Sequence, residues 1–413
     1  MLKKIAITLA VVVAIVAAAP LLFPYDHYKT RVEEALKARI GIDTKIGQIR
    51  FGYEPVPTLF LEDIEFGRDN EGKIGQVRVP ITWKNLFNFR TELHRVVFAE
   101  ALLREDFARS LPGRLKPSAE GDIHLATVKL ERLTLQLPKS QFGPLSGGLQ
   151  LNSDGTFKEV TLTDSTGVAE ATIKPKSGKF SIDFQARNWT LPGKHPVPFD
   201  HLTVRGVADA NGAVIDDIRG QLFSSVFTGT AQIDWQTQWQ LSGTLETKSL
   251  QVEPLILVFN DNTRASGRMA AAAQFLLVGD SYENLFTQPQ IAMNFAISNG
   301  NLHNLDLVGP LKSQGPTVQR RGGQTTFETL TGVFKYDQGK ILLQDLKLDS
   351  GKFKAQGNLT IAGEQDISGR ISAQLKSGSL VVQNTMTVAG KLNAPELHSG
   401  GTYKPGGGTT QIF

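Results

Sequence analysis

The sequence predicts a mostly β protein. An N-terminal transmembrane helix and a short amphipathic helix precede one long curled antiparallel sheet, an open groove with few other helices. The first observation is period-two alternation, as in Phe327–Ile361, where Phe334 and Tyr336 alternate with Lys335 and Asp337. Such alternation is typical of strands with one dry and one wet face. The second is that short Asp- and Gly-containing turns separate these runs. The third is repetition, because about twenty such runs follow one another along the chain.

The apolar N-terminus predicts a membrane anchor. Residues 1–4 form a cytoplasmic tip with two lysines, and Ile5–Phe23 is almost wholly apolar. A helix of this length spans about 28 Å, enough to cross a hydrocarbon core of about 30 Å. The lysines keep the tip in the cytoplasm, so we expect the bulk of the chain to be exported. The alternative is a signal peptide cleaved near Ala17–Ala19, which exports the chain equally.

The segment after the anchor predicts a short helix. Within Asp26–Ile40, Tyr28, Val32 and Leu36 recur at helical spacing, and Gly41 follows as a stop signal. The helix either packs on its own domain or plugs the membrane end of a longer cavity. The residues favour the first interpretation.

Composition excludes several classes of function. The net charge is +4 and 20% of residues are charged, well mixed along the chain, so nothing indicates a nucleic-acid footprint. The chain has no cysteine, which excludes disulfides, thiolate metal sites and a cysteine nucleophile. The 40 glycines suit many turns, and the 23 phenylalanines suit the dry faces of strands.

The sequence shows no catalytic or cofactor-binding motif. Its seven histidines are scattered without metal-ligand spacing, and no phosphate loop or nucleophile motif occurs. We therefore predict no enzyme activity, no metal and no cofactor. Asp216–Asp217 is interpreted as a turn, and Arg320–Arg321 as a solvated loop rather than a headgroup site.

Several stretches interrupt the strand pattern. Trp83–Asn88 suggests one helical turn, and Leu93–Leu103 favours a strand although a helix also fits. We expect loops at three stretches rich in proline, glycine or polar residues: Asp106–Gly121, Trp189–His201 and Val308–Thr325. Two further stretches break the alternation and fit either short helices or doubly buried strands: Leu250–Asn260 and Ala270–Leu277.

Three architectures fit so many short strands: tandem sandwiches, a closed barrel or one long curled sheet. Sandwiches would require regular linkers, and a lipid-embedded barrel would require longer strands and an aromatic girdle. The curled sheet is the remaining option.

Four segments resemble the AsmA-like proteins of Gram-negative bacteria, relatives of the repeating β-groove lipid-transfer proteins. Residues 28–67 resemble the family's start, a helix ending in Gly, then I-G-x-I and L-x-L-E-D-I. Residues 74–103 resemble its strand, helical turn and strand. Residues 299–361 resemble its C-terminal domain, with F-x-x-L-x-G-x-F, D-L-x-L-D-S and G-N-L-x-I. Residues 385–397 resemble its closing strand and proline.

The resemblance implies the domain organisation and the function. It divides the exported chain into an N-terminal AsmA-like segment (26–105), a central β-rich groove (106–298), a C-terminal β-meander (299–397) and a flexible tail (398–413). It implies an inner-membrane protein, attached through residues 5–23 with its bulk in the periplasm. There it would shield phospholipid acyl chains during transfer between the inner and outer membranes.

The residues alone leave open whether the apolar face is a groove or a filled core. Alternation cannot separate the two, and the resemblance favours the groove. The candidate lipid-contacting residues are Phe180, Ile182, Phe184, Ile291, Met293, Phe295, Ile297, Phe353 and Leu359. The alternative function is a scaffold with a filled core that helps to assemble outer-membrane proteins through periplasmic or outer-membrane partners.

Overall fold

The computed structural model describes residues 19–69, 71–81, 93, 95–117, 125–137, 141–191, 196–259, 265–281, 284–313, 315–320, 322–363 and 365–400. It confirms the coarse fold class. The protein is mostly β, with one large sheet of 22 strands that does not close on itself and few short helices. Two compact units divide the chain, with the boundary between Asp183 and Phe184, inside strand β9.

In its described residues, the first unit contains two α-helices and the first nine strands, the last of which continues into the second unit. The helices are α1 (Lys29–Ile40) and α2 (Glu105–Arg114). The strands are β1 (Thr44–Tyr53), β2 (Pro57–Phe66), β3 (Gly72–Pro80), β4 (Val96–Arg104), β5 (Thr127–Gln136), β6 (Gln141–Leu151), β7 (Phe157–Thr163), β8 (Ala169–Lys176) and β9 (Lys179–Leu191).

The stretch predicted to form an N-terminal anchor, Ile5–Phe23, lies mostly outside the described residues. Ala19–Leu22, at its C-terminal end, forms a 3-10 helix rather than the end of an α-helix. Within the described part of the chain, the helices are too short or too polar to span a membrane. Residues 82–92, which include the helical turn expected at Trp83–Asn88, are also outside the described residues.

Helix α1 confirms the helix predicted after the apolar N-terminal run. It ends at Gly41, whose φ of 75° is left-handed and whose N–H donates to the carbonyl of Lys37. Val32, Leu36 and Ile40 pack against the hydrophobic core of the first unit. The helix therefore packs on its own domain, as the residues favoured.

Side chains from this N-terminal segment hydrogen-bond the outer edge of β1. The N–H of Ile49 donates to Asp26 Oδ1 at 3.0 Å, and the N–H of Ile46 donates to Glu33 Oε1 at 2.8 Å. Lys29 Nζ donates to the carbonyl of Gly47 at 2.6 Å. Because β1 pairs only with β2 among the described strands, these bonds satisfy groups that would otherwise face solvent.

Helix α2 corrects the loop expected at Asp106–Gly121. The helix carries Phe107, which is only 2% exposed and packs on Phe66 with ring centroids 5.5 Å apart. Pro112 and Gly113 indicated a loop, but both lie in its last turn, where they leave the first turns intact. The helix belongs to a crossover that brings β5 parallel to β4, whereas the other registered pairs of the unit are antiparallel.

The described part of the second unit contains two α-helices, the end of β9 and the remaining strands. The helices are α3 (Val252–Phe259) and the single-turn α4 (Gly309–Lys312). The strands are β10 (Val197–Ala208), β11 (Gly212–Leu222), β12 (Ser225–Asp234), β13 (Trp239–Gln251), β14 (Ala265–Gly279), β15 (Gln290–His303), β16 (Thr317–Gln319), β17 (Gln324–Asp337), β18 (Lys340–Ser350), β19 (Phe353–Ala362), β20 (Asp366–Ser377), β21 (Leu380–Lys391) and β22 (Ala394–Ser399).

The meander predicted at Phe327–Ile361 is confirmed as β17, β18 and β19, paired in antiparallel order. Its first turn places Gln338 and Gly339 at φ values of 47° and 76°, the left-handed pair that a tight hairpin requires. The strand predicted at Leu93–Leu103 is confirmed from Val96 onward, and the strand predicted at Ile291–Ile297 is confirmed.

Two predictions in the second unit, one based on prolines and one based on an acidic pair, were wrong. Most of Trp189–His201 is strand, because β9 extends to Leu191 and β10 begins at Val197. Pro198 is tolerated because the register of β10 with β11 begins only at His201. Asp216–Asp217 is not a turn but a bulge within β11, where Asp217 pairs with Arg219 at 2.7 Å.

The other stretches that interrupt the strand pattern of the sequence form short helices and strands. Leu250–Asn260 contains helix α3, whereas Ala270–Leu277 lies in β14 with exposed residues on alternate positions. Val308–Thr325 is not a flexible loop, because it contains α4, β16 and the start of β17. At the C-terminus, Leu380–Val382 and Thr385–Leu392 belong largely to one strand, β21, and β22 extends to Ser399.

Candidate apolar binding face

Strand β15 shows how the second unit separates its two faces. Ile291, Met293 and Phe295 are half-buried, and Ile297, next on the same face, is buried. The alternate residues Ala292, Asn294, Ala296 and Ser298 are all exposed. We call the face that carries Ile291–Ile297 the inner face.

The strand register extends the inner face across neighbouring strands. Met293 lies opposite Phe334, Phe334 opposite Leu343, and Leu343 opposite Leu359. A second row joins Phe275 of β14 to Ile291 and Tyr336. Residues that pair directly in an antiparallel sheet point to the same face, so the rows form one continuous apolar surface.

The described inner-face strands carry no carboxylate, amine, guanidinium or imidazole group on that face. In the described strands β13–β15 and β17–β21, no inner-face position holds Lys, Arg, Asp, Glu or His. Charges lie instead at the turns and on the opposite face. Asp349 is an example, since hydrogen bonds from Lys354 Nζ at 2.7 Å and from the Gly351 N–H hold the pKa of its carboxyl below the usual value.

Glycine on the inner face makes room for aromatic rings. Gly243 lies opposite Phe275, and a Cβ at Gly243 would stand 2.7 Å from Phe275 Cζ. Gly332 lies opposite Phe295, and a Cβ there would stand 3.2 Å from Phe295 Cζ. These pairs let each ring lie across the neighbouring strand, close to its backbone.

One end of the inner face is closed by the chain itself. After β15 the chain passes through residues 304–313 and 315–319, which we call the strap, before it returns to β17. Leu307 and Leu311 of the strap are buried with Phe327 and Met386 from the sheet beneath. Helix α3 packs beside them through Leu255 and Ile256. This end is an ordinary hydrophobic core.

The other end of the inner face is half-exposed. Ile291, Met293, Phe295 and Leu359 retain partial solvent exposure, as does Phe334 beside them. We call these five residues the open end. Their partly exposed apolar atoms are accessible to a bound molecule.

The predicted site residues therefore fall into three groups. Ile291, Met293, Phe295 and Leu359 lie at the open end. Ile297 and Phe353 belong to the closed core, and Phe353 is only 4% exposed. The last group lies on β9 and is half-buried, with Phe180 and Ile182 in the first unit and Phe184 in the second.

Few polar groups are buried at the closed end. Asn384 Nδ2 donates to Ser399 Oγ, and Thr325 Oγ1 donates to the carbonyl of Leu305 at 2.7 Å. Thr317 Oγ1 is buried without a hydrogen-bond partner. Among the described residues, no cluster of histidine and acidic side chains is arranged to hold a metal.

Sequence reasoning missed the strap and Phe334 as parts of this surface. The available signal for the strap was Leu307, Val308 and Leu311, at spacings that fit a helical turn, but the surrounding glycines and polar residues concealed it. The partners of Phe334 follow only from the register.

Comparisons of this chain with protein-family models, with curated proteins and with solved structures find no match.

Proposed function

We propose that the open end of the second unit binds the acyl chains of phospholipids. The observation that carries this proposal is the row of half-exposed apolar side chains from Met293 through Phe334 to Leu359, on a face without charged groups. Each methylene removed from water there contributes about 0.8 kcal/mol. Because the row offers no directional polar partner, a bound chain is free to slide along it.

The N-terminal sequence supports a membrane location for this activity. Two lysines followed by the apolar run Ile5–Phe23 support an uncleaved anchor, with the bulk of the chain outside the cytoplasm. The resemblance to AsmA-like proteins supports a bacterial inner membrane and the periplasm. In this setting the protein shields lipid tails as phospholipid moves between the inner and outer membranes, which supports outer-membrane biogenesis.

Photo-crosslinking in cells tests the proposal. A photoreactive amino acid is placed at Phe295 or at Leu359, and phospholipid is sought on the purified protein by mass spectrometry. The matched control is Asn294, the neighbour of Phe295 on the opposite, exposed face. Lipid capture at both inner-face positions and not at Asn294 supports the proposal, and equal capture at all three positions contradicts it.

The closed end favours one alternative function. Leu311 and Phe327 form a filled core, as a scaffold for outer-membrane protein assembly would have. A scaffold predicts that probes at the open end capture protein partners and no lipid. That outcome in the same experiment replaces the lipid proposal with the scaffold.

A further inference from the structure

A cluster of exposed apolar side chains lies at one end of the first unit. It combines Leu22 and Phe23, which follow the apolar N-terminal run, with Tyr28 from the next turn. Tyr53, the last residue of β1, and Val56, in the connection to β2, also belong to it. All five are at least 45% exposed, and Leu22 is 84% exposed. We call these five residues the aromatic patch, and such a concentration of exposed apolar groups indicates an interaction surface.

Ring contacts hold the two halves of the patch together. Phe23 contacts Tyr25 with centroids 5.0 Å apart, and Tyr25 stacks on Phe51 at 5.9 Å. Phe51 in turn contacts Tyr53 at 5.3 Å. Burial, followed by the nearby Tyr53, raises the pKa of Tyr25, which is consistent with its position between the two halves.

The hydrogen bonds along β1 fix the patch in place. Asp26, Lys29 and Glu33 bind the backbone of β1 and so hold the segment that carries Phe23 and Tyr28. A fixed apolar surface is better suited to docking than a freely moving one, because little conformational freedom is lost when it binds.

We propose that the aromatic patch docks unit 1 on the bilayer surface at the level of the lipid headgroups. The apolar run Ile5–Phe23 ends at this patch, and most of that run, residues 5–18, lies outside the described residues. When this run is inserted in a bilayer, Leu22 and Phe23 emerge at its surface, and the ring contacts bring Tyr53 with them. Tyrosine is enriched at this depth because its ring is apolar and its hydroxyl is polar.

The residues around the patch limit how deeply it enters. Glu54 and Pro55 lie between Tyr53 and Val56, and both are exposed. A carboxylate is costly in the hydrocarbon core but tolerated among headgroups. The patch therefore rests in the interface and does not span the bilayer. This inference rests on the membrane attachment in the proposed function, and it does not depend on lipid binding at the open end.

Site-specific fluorescence in vesicles tests the inference. The chain has no cysteine, so V56C provides a single site for the polarity-sensitive NBD label. The full chain is reconstituted in vesicles of phosphatidylethanolamine and phosphatidylglycerol that contain spin-labelled lipid. The control is S165C, in the exposed turn between β7 and β8 of the same unit. A third variant, V12C, reports on insertion of the apolar run.

We expect the NBD emission of V56C to shift to the blue and to be quenched by the spin-labelled lipid. S165C should show neither effect, and the label of V12C should be quenched from within the hydrocarbon core. An unquenched label at position 56 together with a quenched label at position 12 overturns the inference while leaving the membrane anchor in place. Absence of quenching at both positions overturns the anchor as well. A blue shift at position 56 that occurs without quenching, and also in detergent, identifies a protein contact and likewise overturns docking on lipid.

Discussion

The two units cover their apolar faces differently. In the first unit, α1 and α2 lie in one hydrophobic cluster with the strands, through Leu36 on α1 and Phe107 on α2. In the second unit, the strap and α3 cover one end of the inner face, and Met293 and Phe295 at the other end remain half-exposed.

The difference shows that the strand pattern does not determine whether a face is filled. Both units have alternating strands, but only the segments between strands decide which apolar positions are covered. In the first unit the crossover from β4 to β5 supplies a helix. In the second unit the strap covers only one end of the inner face. The open end therefore exists because no described segment of this unit covers it.

The largest effect should come from large-to-small changes at the covered positions. We expect F107A in the first unit and F327A in the second each to lower the free energy of unfolding by about 3–5 kcal/mol, because both side chains are 2% exposed. F295A at the open end should cost only about 1–2 kcal/mol, since part of its ring already contacts water. Urea unfolding in detergent measures all three. A loss at F295A equal to that at F327A would show that the open end is a filled core.

The next effect concerns glycine on the inner face. We expect G243A to destabilise the second unit by about 1–3 kcal/mol, because its Cβ would lie 2.3 Å from the carbonyl oxygen of Thr230 as well as against Phe275. The matched control is G113A in α2, where a Cβ has no neighbour within 4 Å and alanine favours the helix. Thermal unfolding of the two variants should therefore move in opposite directions. A neutral G243A would show that the inner face is loosely packed.

A smaller effect is expected at the edge of the first unit. D26A and E33A each remove an acceptor from a β1 amide and should cost roughly 1 kcal/mol. Hydrogen–deuterium exchange of the peptide that contains Ile46 and Ile49 should quicken in both variants. E34A removes an exposed neighbouring carboxylate and serves as the control. Unchanged exchange in D26A and E33A would contradict a role for these side chains in holding the edge.

The smallest effect is pH-dependent and local to the second unit. Hydrogen bonds from Lys354 and Gly351 lower the pKa of Asp349 from its ordinary value of 3.8. A carboxylate whose pKa is lower in the folded than in the unfolded protein stabilises the fold at pH values above the unfolded-state pKa. That contribution is lost as the pH falls through the folded-state pKa. D349N should therefore weaken the β18–β19 turn at pH 7 and differ less from the parent protein below pH 3.8. Exchange of the turn amides at the two pH values measures this, and an equal difference at both would contradict it.

Local sequence patterns predicted the strands and the two faces of each strand, but not which segments pack over the apolar face. Ile291, Met293 and Phe295 were placed on one face because alternation alone defines a strand's two sides. The hairpin turn at Gly339 was equally clear, because its left-handed conformation favours glycine. Phe353 illustrates the limit, since its alternation matches that of Leu359 while its burial depends on the core assembled beside the distant strap. The parallel pairing of β4 with β5 could not be predicted from the sequence either, because the register between separated segments leaves no local signal.

The hydrogen bonds along β1 have a consequence for self-association. An open sheet can grow by adding strands from other molecules wherever an edge strand presents free backbone groups. At β1, Asp26, Lys29 and Glu33 already occupy such groups. The other edge ends in β16, which is three residues long and pairs only with β22 among the described strands. Side chains occupy part of one edge and the other edge is short, so both edges of this many-stranded sheet are less available for end-to-end polymerisation and amyloid-like growth.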